Sequence, residues 1–156
     1  MDAVPVVQGG LMYVGYAGLA AAASNAGNLR IITALIFKPE EFRQEIQKCR
    51  RLTNKHFALN ITLLPYLAPP NYGTYTRVVI EEGIAAVETA GNNPVIRALK
   101  NAGIIVIHKL TTIWHAESTV RLGAAFLSID GSEYGGHVGE SNITNFILLS
   151  RAYQKL

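Results

Sequence analysis

Apolar runs of strand length recur along this sequence with helix-like segments between them, and that alternation restricts the fold more than any other feature. The runs are VPVV (4–7), IITAL (31–35), FALNITLL (57–64), AAVETA (85–90), IIVIHKL (104–110) and AAFLSID (124–130). Each is close to continuously apolar, the pattern of a strand buried on both faces. Between them lie AGLAAAASNAG, PEEFRQEIQKCRRL, TYTRVVIEEG, NPVIRALKNAG and TTIWHAESTVRLG, amphipathic or alanine-rich, several closing on a glycine as helix C-caps do. About six β/α units therefore predict a parallel α/β sheet with right-handed crossovers, in one domain over residues 1–156. No linker, low-complexity segment or duplicated motif interrupts it.

Two arrangements satisfy this pattern: an open doubly wound sheet and a (β/α) barrel. A dinucleotide-binding sheet would carry G-x-G-x-x-G in its first turn, whereas the turn here reads QGGLMYVG, without that spacing. The barrel is favoured. A hydrophobic share of 49% supplies a sizeable core, and 16% charged residues with 14 glycines exclude a disordered tail or a coiled coil.

The net charge of +3 is spread along the chain, with KCRR (48–51) as its one cluster, at the end of a predicted helix where cations complement the dipole. No stacking-aromatic or groove-reading motif accompanies it, so no nucleic-acid partner is expected. The single cysteine, Cys49, excludes an internal disulfide and reads as a helical packing residue. With no basic leader before the first apolar residues and no apolar stretch of about 18 residues, the expectation is a soluble cytoplasmic protein without a membrane span. No His, Cys and carboxylate set has ligand spacing, so no metal is expected.

In parallel β/α folds the ligand sits beyond the carboxyl ends of the strands. Polar residues gather there: Gln8-Gly9-Gly10, then Asn60 and Thr62, Glu88-Thr89, His108-Lys109, and Asp130. Gln8 and Asn60 read equally as buried amides bonded to loop backbone, and Glu88 as a strand-end charge paired with a nearby lysine. His108 and Lys109 are neighbours in one strand, so only one of them faces the barrel interior. His56 and His115 fall outside the strand ends and read as surface or packing residues. His137 stands apart, in GSEYGGHVGE (131–140), where glycines remove side-chain bulk and let a flat ligand approach while the imidazole exchanges a proton.

Taken together, QGGLMYVG (8–15), SNAG (24–27), CRRLTNKHFALNITLLP (49–65), VETAGNNP (87–94), VIHKLTT (106–112) and SIDGSEYGGHVGE (128–140) resemble the successive motifs of the nitronate monooxygenase family. These are FMN-dependent TIM-barrel oxidoreductases, and the QGG, NITLLP, ETAG and IHK elements are closest to its NADH:quinone reductase branch. The resemblance implies that Gly10, Leu11 and Met12 lie against FMN, that Thr62 bonds it, that Lys109 approaches the pyrimidine edge of its isoalloxazine, and that Gly135 meets it through backbone. It also implies that His137 is catalytic: the base toward a nitronate-forming substrate, or the group that binds or protonates a quinone. Tyr134 stands where the family has a small residue and reshapes the pocket.

A TIM barrel has eight strands in about 250 residues, and its phosphate site lies after strands seven and eight. Six units make an incomplete barrel with two open edges, so a second copy or another chain supplying the missing strands is expected as partner. The small-molecule substrate implied is a nitronate, or NADH with a quinone. Two other functions fit the same scaffold: a flavin-free binding protein, and a cofactor-independent lyase or isomerase using His137 and Lys109.

Overall fold

The computed structural model describes residues 6–63, 67–91, 94–136 and 142–156. Six parallel strands form one sheet in the order β1-β2-β3-β4-β5-β6: Val7–Gln8, Leu29–Thr33, Ala58–Thr62, Ala86–Ala90, Ile105–Leu110 and Phe126–Ile129. Helices alternate with them: α1 (Ala17–Asn25), α2 (Pro39–Leu52), α3 (Tyr72–Glu81), α4 (Ile96–Asn101), α5 (Ile113–Leu122) and α6 (Asn145–Lys155). A doubly wound sheet reverses its strand order at a switch point. Here every strand pairs with its neighbour in sequence, so the sheet curls as an incomplete (β/α) barrel.

Local chemistry sets the element boundaries. Helix α2 begins with Pro39, which has no N–H to waste in the first turn, and the Glu41 carboxylate accepts the Lys38 N–H at 3.0 Å. Its apolar residues Phe42, Ile46 and Cys49 follow helical spacing and are all fully buried. Asn71 caps α3 by accepting the Thr74 N–H at 3.3 Å. Helix α5 ends at Gly123, whose φ of 104° is the left-handed conformation of a C-cap. The predicted second strand stops at Thr33, because Ala34–Ile36 coils into a 3₁₀ turn that leads into α2. Of the first predicted strand, residues 4–5 lie outside the described residues, as does residue 64 of the third.

Strand register separates the two faces of the sheet. Outward-pointing Ile32, Leu59, Ile61, Val87 and Val106 pack against the helices, with Ala17, Ala20, Phe42, Ile46, Val79 and Leu99 opposite them. An aromatic chain runs through this layer: Phe37 and Phe42 lie 6.4 Å apart, Phe42 and Tyr75 6.1 Å, and the Tyr75 hydroxyl donates to the Phe37 carbonyl at 2.8 Å. The inward face holds a smaller apolar cluster of Ile31, Ala58 and Ala86 with Leu29 at its edge. Above that floor, toward the carboxyl ends of the strands, the inward residues turn polar.

Part of the KCRR cluster is paired within the helix layer, while Arg51 is exposed. Arg43 binds Glu81 and Glu82, Arg50 reaches the Glu82 carboxylate and carbonyl, and Lys48 lies 3.8 Å from Glu45. The Arg43 and Arg50 pairs join α2 to the end of α3, while that of Lys48 with Glu45 lies within α2, each contributing at most about 1 kcal/mol where exposed. Cys49 is fully buried, and burial followed by the field of Glu45 pushes its thiol up to about 11, which makes it an inert packing residue. Among the described residues no helix is long and apolar enough to cross a membrane.

Candidate functional site

Pairing across β3, β4, β5 and β6 aligns Asn60 with Glu88 and Ile107, and Thr62 with Ala90, Lys109 and Ser128. Partners in parallel register point to the same side, so Asn60, Thr62, Glu88 and Lys109 share the inward face. His108 points the other way with Thr89, its Nδ1 2.8 Å from the Thr89 hydroxyl. Burial, then the neighbouring His115, lowers His108 to about 4, which keeps it neutral. Lys109 is therefore the inward member of the His108-Lys109 pair.

A hydrogen-bond chain runs across this face. The Thr62 hydroxyl donates to Asn60 Oδ1 at 2.9 Å, and Asn60 Nδ2 donates to Glu88 Oε2 at 2.7 Å. Glu88 is only 4% exposed and its hydrogen-bond partner is the neutral Asn60 amide, while its charge acts on Lys109 through space. Thr33 contributes a buried hydroxyl without a hydrogen-bond partner. Thr33 sits in the middle of the otherwise apolar run IITAL, not at its end, so no strand-end signal marks it in the sequence.

Lys109 is the centre of charge. Its Nζ donates to the Tyr134 hydroxyl at 2.9 Å and lies 3.7 Å from Asp130 Oδ2, an ion pair too long for a hydrogen bond. Burial alone would lower its pKa, but the Tyr134 hydrogen bond and the fields of Glu88, Tyr134 and Asp130 outweigh that and raise it. Asp130 responds in the opposite sense to an ordinary ion-paired carboxylate. Burial pushes it up to about 6, with Glu88 adding and Lys109 opposing.

The loop after β1 crosses the top of this face. A Cβ on Gly10 would lie 2.8 Å from the Thr33 hydroxyl and 3.1 Å from Asn60 Cβ, so only glycine allows this approach. Leu11 and Met12 are 42% and 44% exposed. Tyr13 adopts φ of 60°, a left-handed conformation unusual for an aromatic residue. Beneath the loop, Arg30 is fully buried, its Nη1 donating to the Gly9 carbonyl at 3.1 Å while Nε and Nη2 have no partner. Gln8 pairs with Arg30 and so shares its outward face, away from the polar cluster.

At the opposite rim, Glu133 accepts the Asn145 N–H at 2.8 Å, and the Ser132 N–H donates to the Ile143 carbonyl at 2.9 Å. These bonds fix the loop after β6 to the start of α6 and deliver Tyr134 to Lys109. Gly135 is exposed, and a Cβ there would meet nothing within 4 Å. Gly10, Thr62 and Lys109 are thus brought to one end of the sheet, while His137 lies outside the described residues. His115, exposed, bonds Thr112 at 2.9 Å and packs on Trp114.

An FMN isoalloxazine is flat, apolar on its faces and polar at its pyrimidine edge. The groups present fit that ring: a close glycine approach at Gly10 and exposed apolar Leu11 and Met12 for its faces, and the Thr33 hydroxyl and half-buried Lys109 ammonium as donors for its edge.

The family profile of nitronate monooxygenase matches residues 2–154. The chain is 33% identical over 137 residues to a (3aS,4S,5R,7aS)-5-hydroxy-7a-methyl-1-oxo-octahydro-1H-indene-4-carboxyl-CoA dehydrogenase of Mycobacterium tuberculosis, covering 86% of this chain and 38% of that protein. It is 26% identical over 181 residues to a probable nitronate monooxygenase of Staphylococcus haemolyticus, covering 90% of this chain and 49% of that one. FabK from Thermotoga maritima superposes with a TM-score of 0.88 at 35% identity, over 97% of this chain and 48% of FabK. The chain therefore spans half or less of the length of these relatives.

Proposed function

The chain belongs to the nitronate monooxygenase family, and from that premise we propose that it serves an FMN-dependent oxidoreductase, with FMN seated on the inward face at the carboxyl ends of the strands. The observation that carries this reading is Lys109, a half-buried ammonium on that face beside Asp130 and Tyr134, below a loop that needs glycine at position 10. Bound FMN would supply acceptance and return of an electron pair. The residues of this chain would do the rest. Gly10, Leu11, Met12 and Gly135 would frame the ring, Thr62 would bond its polar edge through the hydroxyl now given to Asn60, and Lys109 would stabilise negative charge at the pyrimidine edge.

His137 would exchange the proton with substrate or quinone, the role its place in GGHVG implies. The two substrate classes in view are a nitronate and a nicotinamide with a quinone, and the relationship to a CoA-ester dehydrogenase supports a third, an acyl-CoA-type ester. Strands β1 and β6 each have one neighbour in the sheet, and inward Ile105 and Phe126 are 46% and 61% exposed. Those two edges, unpaired among the described residues, and the uncovered apolar floor support a second copy or another chain as partner.

Titrating the purified chain with FMN while following visible absorbance and melting temperature tests the reading. A saturating rise in melting temperature is expected, about 2.7 kcal/mol of stabilisation at a hundredfold excess over Kd, and weaker binding in Lys109→Met. No rise at any FMN concentration would sink it.

A further inference from the structure

We propose that Asp130, Lys109 and Tyr134 form a proton-exchange site for carbon acids of the ketone or thioester class, with Asp130 as the base and Lys109 and Tyr134 as the groups that receive the carbonyl oxygen. The inference goes beyond the flavin reading, because it needs no cofactor and does not involve His137. Asp130 Oδ2 is buried, and the Lys109 ammonium that pairs with it is too distant for a hydrogen bond, so the oxygen is short of the bonds a buried carboxylate needs. It stands 3.7 Å from Lys109 Nζ, which in turn gives one N–H to the Tyr134 hydroxyl at 2.9 Å. Because that hydroxyl accepts from Lys109, its own O–H hydrogen is available to a second acceptor.

An ammonium and a phenol thus converge beside an unsatisfied carboxylate, the arrangement that abstracts a proton next to a carbonyl while holding the developing oxyanion. The step balances without an oxidant. The α C–H bond breaks, its proton passes to Asp130 Oδ2, and its electron pair forms the C=C bond as the carbonyl π pair moves onto oxygen. Return of a solvent-derived proton from Asp130 to the same carbon restores the starting compound.

Among the described residues, the charged groups that act on Asp130 come from two strands, with a phenol from one loop beside them. Glu88 on β4 is a like charge, Lys109 on β5 an opposite one, and Tyr134 arrives from the loop after β6. His108 faces the other side of β5. With its carboxyl at about 6, Asp130 is a base matched to neutral solution.

The test is deuterium incorporation into butanone in D₂O, followed by proton NMR on the full chain under nitrogen with no flavin or nicotinamide added. The expected result is exchange above the buffer rate that saturates with butanone, and a fall of about a hundredfold or more in Asp130→Asn. The wild-type rate should rise with pH as Asp130 ionises, and Glu88→Gln should move that midpoint to lower pH by removing a like charge. Exchange at the buffer rate in the wild type, or undiminished in Asp130→Asn, would overturn the proposal. Should Asp130→Asn fail to fold, an unmoved midpoint in Glu88→Gln overturns it instead. Flavin takes no part, so this outcome is separate from that of the FMN titration.

Discussion

The two faces of the sheet are built from the same strands yet are held by opposite physics. On the outward face, Ile32, Leu59, Ile61, Val87 and Val106 meet the helices in a dry layer, where each large side chain contributes about 1.5–3 kcal/mol by leaving water. On the inward face the apolar cluster is small, and above it sit a carboxylate, an amide, an ammonium and a second carboxylate, with polar atoms left unsatisfied. The outward layer stabilises the fold. The inward polar cluster draws on that stability, which is how a strand-end site normally stands to its scaffold.

The sharpest contrast is between two phenylalanines. Phe42 is fully buried in the outward layer and Phe126 is 61% exposed on the inward face. Phe42→Ala should lower unfolding free energy by about 3–5 kcal/mol in urea titrations, whereas Phe126→Ala should change it by roughly 0.5 kcal/mol or less. A large loss in Phe126→Ala that depends on protein concentration would mean that another chain covers the inward face.

A smaller effect separates two glycines. Gly10→Ala sets a Cβ 2.8 Å from the Thr33 hydroxyl, so about 1–3 kcal/mol of overpacking is expected. Gly18→Ala, in α1 with nothing within 4 Å, should stabilise by up to about 1 kcal/mol. Equal effects at both positions would remove the argument that the first loop is pressed onto the inward face.

A third contrast is in pH dependence, where the two faces carry opposite signs. His108, lowered from 6.5 to about 4, contributes stability above its ordinary value that is lost as pH falls through that window. Asp130, raised from 3.8 to about 6, contributes stability fully present below its ordinary value and lost as pH rises through about 6. Urea midpoints across this range should therefore tilt toward acid stability in His108→Gln and toward neutral stability in Asp130→Asn. Parallel curves for both variants and the wild type would show that neither group is shifted.

The alternation of apolar runs and helical segments was enough to read six strands, their parallel sense and the barrel-like order, because hydrophobic periodicity and capping act locally. Locally encoded too were the gathering of polar residues at the strand ends, the choice of only one inward residue between His108 and Lys109, and the packing role of Cys49. What the sequence left open is what lies across strands. Arg30 reads as one more scattered basic residue, yet tertiary packing buries it beneath the first loop with one carbonyl partner. Glu88 reads as half of a lysine pair, and register gives it Asn60 instead. Tyr134 reads as bulk in a glycine loop, and the anchoring of that loop to α6 turns it into the partner of Lys109. Periodicity fixes which side of a strand a residue faces, but the partner it meets there depends on register and loop closure between segments distant in sequence, and these only the folded chain decides.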